Sequence, residues 1–190
     1  MTQGWRSSWA TRAGVLLPVI ALLGILAWAT MRHERVAAVG TALARGQTPP
    51  LPAVTLRGFD GRPVALVDLR GHPLVLNFWA SWCVPCAEEA PVLEGISREF
   101  RASGLIVVGI DTQDLEEPAR RFVSEHGTTY LNLRDADGTV GRLFGTTGVP
   151  ETFFVSADGL IRGKFAGEQT GPAPWREAVK ALLAGRPHVP

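Results

Sequence analysis

The two cysteines of the chain lie three residues apart, at the end of Asn77-Phe78-Trp79-Ala80-Ser81-Trp82-Cys83-Val84-Pro85-Cys86. The apolar run from Pro73 to Trp79 reads as a buried strand, and from Val84 to about Ala102 apolar residues recur at helical spacing. This unit constrains the fold more than any other feature, because both cysteines fall where the strand gives way to the helix. A thiol at a first helical turn faces unpaired backbone N–H groups and the positive end of the helix dipole, and both favour its thiolate. Cys86, one turn on, can attack a mixed disulfide on Cys83 and release the bound partner. Pro85 suits a first turn, where its missing N–H is not needed, and Pro91 within the helix predicts a kink.

Other uses of two cysteines fit less well. A disulfide closing so short a loop removes only about 2 kcal/mol of chain entropy, a poor staple. Covalent haem attachment needs His after the second cysteine, and residue 87 is Ala. A tetrahedral zinc site needs two more close ligands, yet His33, His72, His126 and His188 are scattered. Copper(I) needs two thiolates and at most one further ligand, so a copper-binding module is the stronger rival. A peroxidatic cysteine wants a hydroxyl residue a turn earlier, where Ala80 stands.

A chain of 190 residues allows one domain plus an appendage, and its net charge of +1 gives no sign of a nucleic-acid partner. The appendage is N-terminal. After a tail over 1–12, the nineteen residues Ala13–Met31 carry no charge and are rich in Leu, Ile, Val and Ala, as a transmembrane signal anchor is. Pro18 interrupts the run, and Ala27-Trp28-Ala29 has the form of a cleavage site, so a released soluble protein is the alternative. Arg6 and Arg12 before the run and Arg32 and Arg35 after it leave orientation open. Residues 32–50 read as stalk and linker, stiffened by Thr48-Pro49-Pro50-Leu51-Pro52, and the domain spans 51–190.

Within the domain, Val54–Leu56 and Pro63–Leu66 flank the turn pair Asp60-Gly61, which predicts a hairpin at a sheet edge. Leu105–Ile110 has the composition of a buried strand, followed by Asp114 as N-cap of a helix to about His126. Tyr130–Leu133 predicts a strand and Thr139–Phe144 a short helix. Thr152–Val155 and Leu160–Phe165, joined by Asp158-Gly159, predict an antiparallel hairpin before a last helix from about Pro174 to Leu183. The class is α/β, a parallel βαβ half followed by a ββα half, with an N-terminal hairpin extension, an extra central αβ step and one preceding transmembrane helix.

That order, with Trp82-Cys83-Val84-Pro85-Cys86 and Val149-Pro150-Glu151-Thr152, resembles the thioredoxin superfamily. Asn77–Cys83, Glu89-Ala90-Pro91 and Gly148–Phe153 are similar to its membrane-tethered TlpA/ResA-like and CcmG/DsbE-like members. The resemblance covers about Leu51 to Leu183. It implies a cis Val149–Pro150 bond beside the cysteines, with its backbone offered to an extended substrate segment. Thioredoxins carry a buried aspartate six residues before the first cysteine, where this chain has Asn77. Asn does not titrate, so another group must handle that proton, and Glu89, one turn after Cys86, is the candidate, with a solvated helix glutamate as the plainer reading. Trp82 and Val149 are candidates for substrate docking. Glu151 is a candidate for turning acidic substrates away, the plainer reading being a surface carboxylate in a loop. Trp79 reads as core, Asp111 and Asp114 as too few oxygen ligands for a metal, and Arg120 and Arg121 as solvated.

The resemblance implies an extracytoplasmic thiol:disulfide oxidoreductase in which Cys83 attacks, Cys86 resolves and Pro150 and Glu89 assist. It calls for no cofactor or metal beyond the redox-active Cys83–Cys86 pair. The implied partners are haem-binding cysteines of apocytochrome c or copper-site assembly proteins, and a CcdA/DsbD-like membrane electron donor. A copper(I) metallochaperone and a protein thiol oxidant are the alternatives.

Overall fold

Strand β3, Leu74–Trp79, is buried along its whole length, because helices cover both faces of the sheet at this point. Its residues alternate: Leu74, Leu76 and Phe78 enter one core, while Val75 and Trp79 enter clusters on the opposite face. The computed structural model describes residues 19–26, 28 and 38–186. Seven strands form one mixed sheet in the order β2-β1-β5-β4-β3-β6-β7. Strands β3, β4 (Ile106–Thr112) and β5 (Leu131–Asp135) run parallel. The hairpin β1–β2 (Thr55–Gly58 and Pro63–Ala65) and the hairpin β6–β7 (Glu151–Val155 and Ile161–Ala166) flank them antiparallel.

Helix α1 is Ala38–Ala44, α2 Val84–Phe100, α3 Glu116–Glu125, α4 Thr139–Phe144 and α5 Pro172–Leu183. The core that includes Leu76, Phe78 and Phe153 also takes Val39 of α1 and Val140 and Phe144 of α4. Across the sheet, Trp175, Val179 and Leu182 of α5 pack with Leu93 and Ile96 of α2 around Phe154 and Phe165. A third cluster joins Trp79 to Ala119 and Phe122 of α3 and to both cysteines.

Two expectations change here. Residues 38–50, read as stalk and linker, fold onto the domain. Val39 and Leu51 are buried in its core, and Pro49 accepts the Ile161 N–H while Leu51 N–H bonds Gly159, so the proline-rich stretch docks beside the β6–β7 turn. Gly40 permits this approach, since a Cβ there would lie 3.2 Å from the Gly145 carbonyl oxygen. Asp114 is also not the cap of α3, whose N-cap is Leu115 without a side-chain bond.

About half of the membrane helix expected over 13–31 lies outside the described residues, together with the tail over 1–12 and residues 32–37. Residues 19–26 are helical with every side chain exposed. Among the described residues no helix is long and apolar enough to cross a membrane.

Candidate active site

Cys83 is the N-cap of α2, with extended backbone at φ −91° and ψ 105°, and Pro85 sits in the first turn. Its Sγ accepts the Cys86 N–H at 3.2 Å, and the two sulfurs are joined in a disulfide. When the pair is reduced, the same N–H and the dipole of a seventeen-residue helix act on the Cys83 sulfur and favour its anion. Both cysteines are largely covered, whereas the side chains beside Cys83 are not: Trp82 is 61% and Val84 70% exposed.

Glu89 departs from the plainer of its two readings. It lies one turn beyond Cys86 and is only 2% exposed, so it is not a solvated helix residue. Its Oε2 accepts the Asn77 amide at 3.0 Å and its Oε1 accepts the Gln169 N–H at 3.2 Å. Asn77 also donates to Thr152 Oγ1 at 2.9 Å, tying β3, α2 and β6 together. Burial pushes the Glu89 carboxyl up to about 7, against the opposing pull of those two donors. Asn77, where thioredoxins carry an acid, is therefore hydrogen-bonded to a buried acid of α2.

The second loop of the site runs from Thr147 to Pro150, with the Val149–Pro150 bond cis. Val149 packs against the cluster that holds the cysteines. Glu151 is not the surface carboxylate in a loop that was its plainer reading. It is 2% exposed, its Oε1 accepts the Thr147 N–H at 2.9 Å and hydroxyl at 2.7 Å, and its Oε2 pairs with Lys164 at 3.0 Å. It pins the proline loop to β7. A cleft of about 180 Å³ separates the two loops, lined by Trp82, Gln113, Arg142, Thr147 and Val149. A larger hollow of about 600 Å³ lies between α1 and β7 and touches neither cysteine.

Trp79 is core, as its sequence context implied, stacked on Phe122 at 4.5 Å and donating to Asn132 Oδ1 at 3.1 Å. Only glycine fits beneath that bond, since a Cβ at Gly109 would meet Asn132 Oδ1 at 2.1 Å. Arg120 is less free than expected: it pairs with Glu116 and donates to the Phe59 carbonyl at 2.6 Å, tethering α3 to the first hairpin, whereas Arg121 makes only an exposed pair with Glu117. Sequence reasoning missed Leu115, 74% exposed, which lines a second hollow together with Trp82, and Gln169, whose backbone N–H reaches Glu89. Neither carried a signal, for a single loop leucine or a backbone donor has no pattern to read.

A strand-to-helix cysteine pair, a cis-proline loop beside it and a buried acid one turn on define a thioredoxin-fold thiol–disulfide oxidoreductase. The chain belongs to the family described as AhpC/TSA family, whose profile matches residues 48–164. It is 37% identical over 134 residues to the thiol:disulfide interchange protein DsbE of Pseudomonas fluorescens biotype C, covering 70% of this chain and 72% of that one. It is 33% identical over 188 residues to DsbE of Escherichia coli (strain K12), covering 90% of this chain and 94% of the relative. Among solved structures it is similar to a secreted Mycobacterium tuberculosis disulfide oxidoreductase homologous to E. coli DsbE. That match has a TM-score of 0.60 and 28% identity, over 70% of this chain and 96% of the other.

Proposed function

We propose that the chain is an extracytoplasmic reductant of particular protein disulfides, tethered by the apolar segment 13–31. The observation that carries this reading is the Cys83 sulfur at the N-terminus of α2, facing the Cys86 N–H. In the reduced protein the Cys83 thiolate attacks one sulfur of a substrate disulfide. A Cys83–substrate bond forms and the other substrate sulfur leaves as a thiolate. Cys86 then gives its proton to the Glu89 carboxylate and attacks Cys83. The mixed disulfide breaks, the substrate departs with both electrons, and the Cys83–Cys86 disulfide remains. A carboxyl with a pKa of about 7 can both take and return that proton near neutral pH.

The extracytoplasmic setting is supported by the uncharged N-terminal run and by the secreted M. tuberculosis relative. Similarity to DsbE proteins supports haem-binding cysteines of apocytochrome c as substrate, with cysteines of a copper-site assembly protein as the second choice. A CcdA/DsbD-like membrane protein then supplies the electrons. Cys86→Ser should trap covalent complexes between Cys83 and its substrates, detectable as adducts that dithiothreitol dissolves. If no adducts form under conditions where the parent protein is active, the assigned roles are wrong. A reduction potential of about −270 mV or lower supports a reductant, whereas a value approaching about −120 mV reverses the electron flow.

A further inference from the structure

We propose that Arg142 makes the cleft between the two site loops selective for acidic protein segments, its guanidinium taking a substrate carboxylate close to the sulfur that Cys83 attacks. The inference deepens the oxidoreductase reading and rests on it.

The cleft borders the cysteines through Trp82 on one side and Val149 on the other. Arg142, exposed on α4, is the one charged residue among those that line it. Its acceptors among the described residues are the Asp137 carbonyl at 2.9 Å and the Thr139 hydroxyl at 3.0 Å, both uncharged. A guanidinium has five N–H donors, so with two used three remain, and no carboxylate among the described residues pairs with its charge. The same two bonds hold the side chain along the first turn of α4, which lowers the entropy lost when an anion binds. The other cations around the site are committed elsewhere: Arg134 to Asp111, Arg120 to Glu116 and Lys164 to Glu151.

A ridge separates this cleft from acidic ground. The Trp82 indole N–H donates to the Gln113 carbonyl at 3.2 Å, and the Gln113 N–H donates to the Asp135 carbonyl at 3.2 Å. Gln113 is the only non-glycine residue with positive φ among those described, at 51°, a conformation that persists where surrounding contacts over-determine the backbone. Its side chain covers Gly138, where a Cβ would meet Gln113 Cγ at 2.7 Å. Beyond the ridge, the hollow that holds Leu115 is lined by Asp114 and Asp137. Asp114 accepts the Ser81 N–H at 2.5 Å and the Leu115 N–H at 2.7 Å, and Asp137 accepts the Thr139 N–H at 3.0 Å, so both carboxylates are fixed in place. A segment that lies along the proline loop therefore meets a cation, and one that crosses the ridge meets anions. Glu151, read from the sequence as turning acidic segments away, does not line the cleft.

The test uses the full chain, reduced, and peptides whose single cysteine is activated as a neutral thiopyridyl disulfide. Glu, Gln or Lys occupies in turn each of the three positions on either side of that cysteine. Cys83 attacks the peptide sulfur, a Cys83–peptide disulfide forms and the released thiopyridone is read by absorbance. At the best position the Glu peptide should be captured about fivefold faster than the Gln peptide. That advantage should shrink as ionic strength rises from about 0.05 M to about 0.5 M. Arg142→Gln should bring the ratio to about one, Arg142→Lys should keep its sign, and Arg142→Glu should favour the Lys peptide instead. Because the ratio is taken within one protein, a general loss of reactivity cancels. Equal capture of Glu and Gln peptides by the parent at every position, or a preference that survives in Arg142→Gln, would overturn the proposal. A parent that captures these peptides but reduces no protein disulfide such as insulin defeats the reductant reading, while the Glu-to-Gln ratio still decides the role of Arg142.

Discussion

Glu89 and Glu151 are buried to the same extent, yet their surroundings are opposite in kind. Glu89 is surrounded by neutral donors, the Asn77 amide and the Gln169 N–H, so a proton can come and go without breaking an ion pair. Glu151 faces the Lys164 ammonium and two donors of Thr147, and its charge holds the proline loop on β7. Depth therefore does not decide whether a carboxylate is free to exchange a proton. What decides it is whether the neighbours depend on its charge.

The largest expected effect breaks the fastener. Glu151→Ala leaves Lys164 without its counter-charge and frees Thr147, and should destabilise the protein by roughly 3 kcal/mol, read from urea unfolding. If stability holds and only activity falls, Glu151 belongs with Glu89. Next, Glu89→Gln should slow protein-disulfide reduction about a hundredfold, with a much smaller change in unfolding midpoint at neutral pH. The pH dependence carries a sign. The folded carboxyl titrates near 7 and the unfolded one near 4.5, so the folded state binds more protons between them. The Glu89 share of stability should fall by about 3 kcal/mol as pH rises through that window, and then level off. The variant should lose this part of the fall and keep the part that belongs to Asp111, whose carboxyl burial pushes up to about 8. The smallest effect sharpens the comparison from the other side: Asn77→Asp sets a second carboxylate against Glu89, and should raise the midpoint of the pH–rate profile by about one unit. An unmoved profile would mean that Asn77 plays no electrostatic part.

Much of this architecture was legible in local pattern. The apolar run before Cys83, the turn pairs Asp60-Gly61 and Asp158-Gly159, and the helical spacing after Val84 each led to an observed element, with ends displaced by a few residues. Where reading failed, the deciding partner lay far away along the chain. Glu151 looked like a loop carboxylate because Lys164, thirteen residues on, is brought opposite it only by the β6–β7 hairpin. Asp114 looked like a helix cap because its acceptor role toward Ser81 spans thirty-three positions. Val39 looked like stalk because a single apolar face on a short helix is indistinguishable from linker until α4 and the sheet provide its cover.

The amino-acid sequence by itself determined the reactive pair, the helix start that activates it and the alternation of strand and helix around it, since these follow from dihedral preference, capping and hydrophobic period within a few residues. The tertiary structure alone decided which acids face neutral donors and which are held in ion pairs. Asn77 reaches Glu89 across the β3–α2 interface, Lys164 reaches Glu151 across a hairpin, and Arg134 reaches Asp111 from the neighbouring strand. The charge and proton affinity of a carboxyl are set by the dielectric and donors around it, and those are properties of a packed surface, not of a stretch of chain.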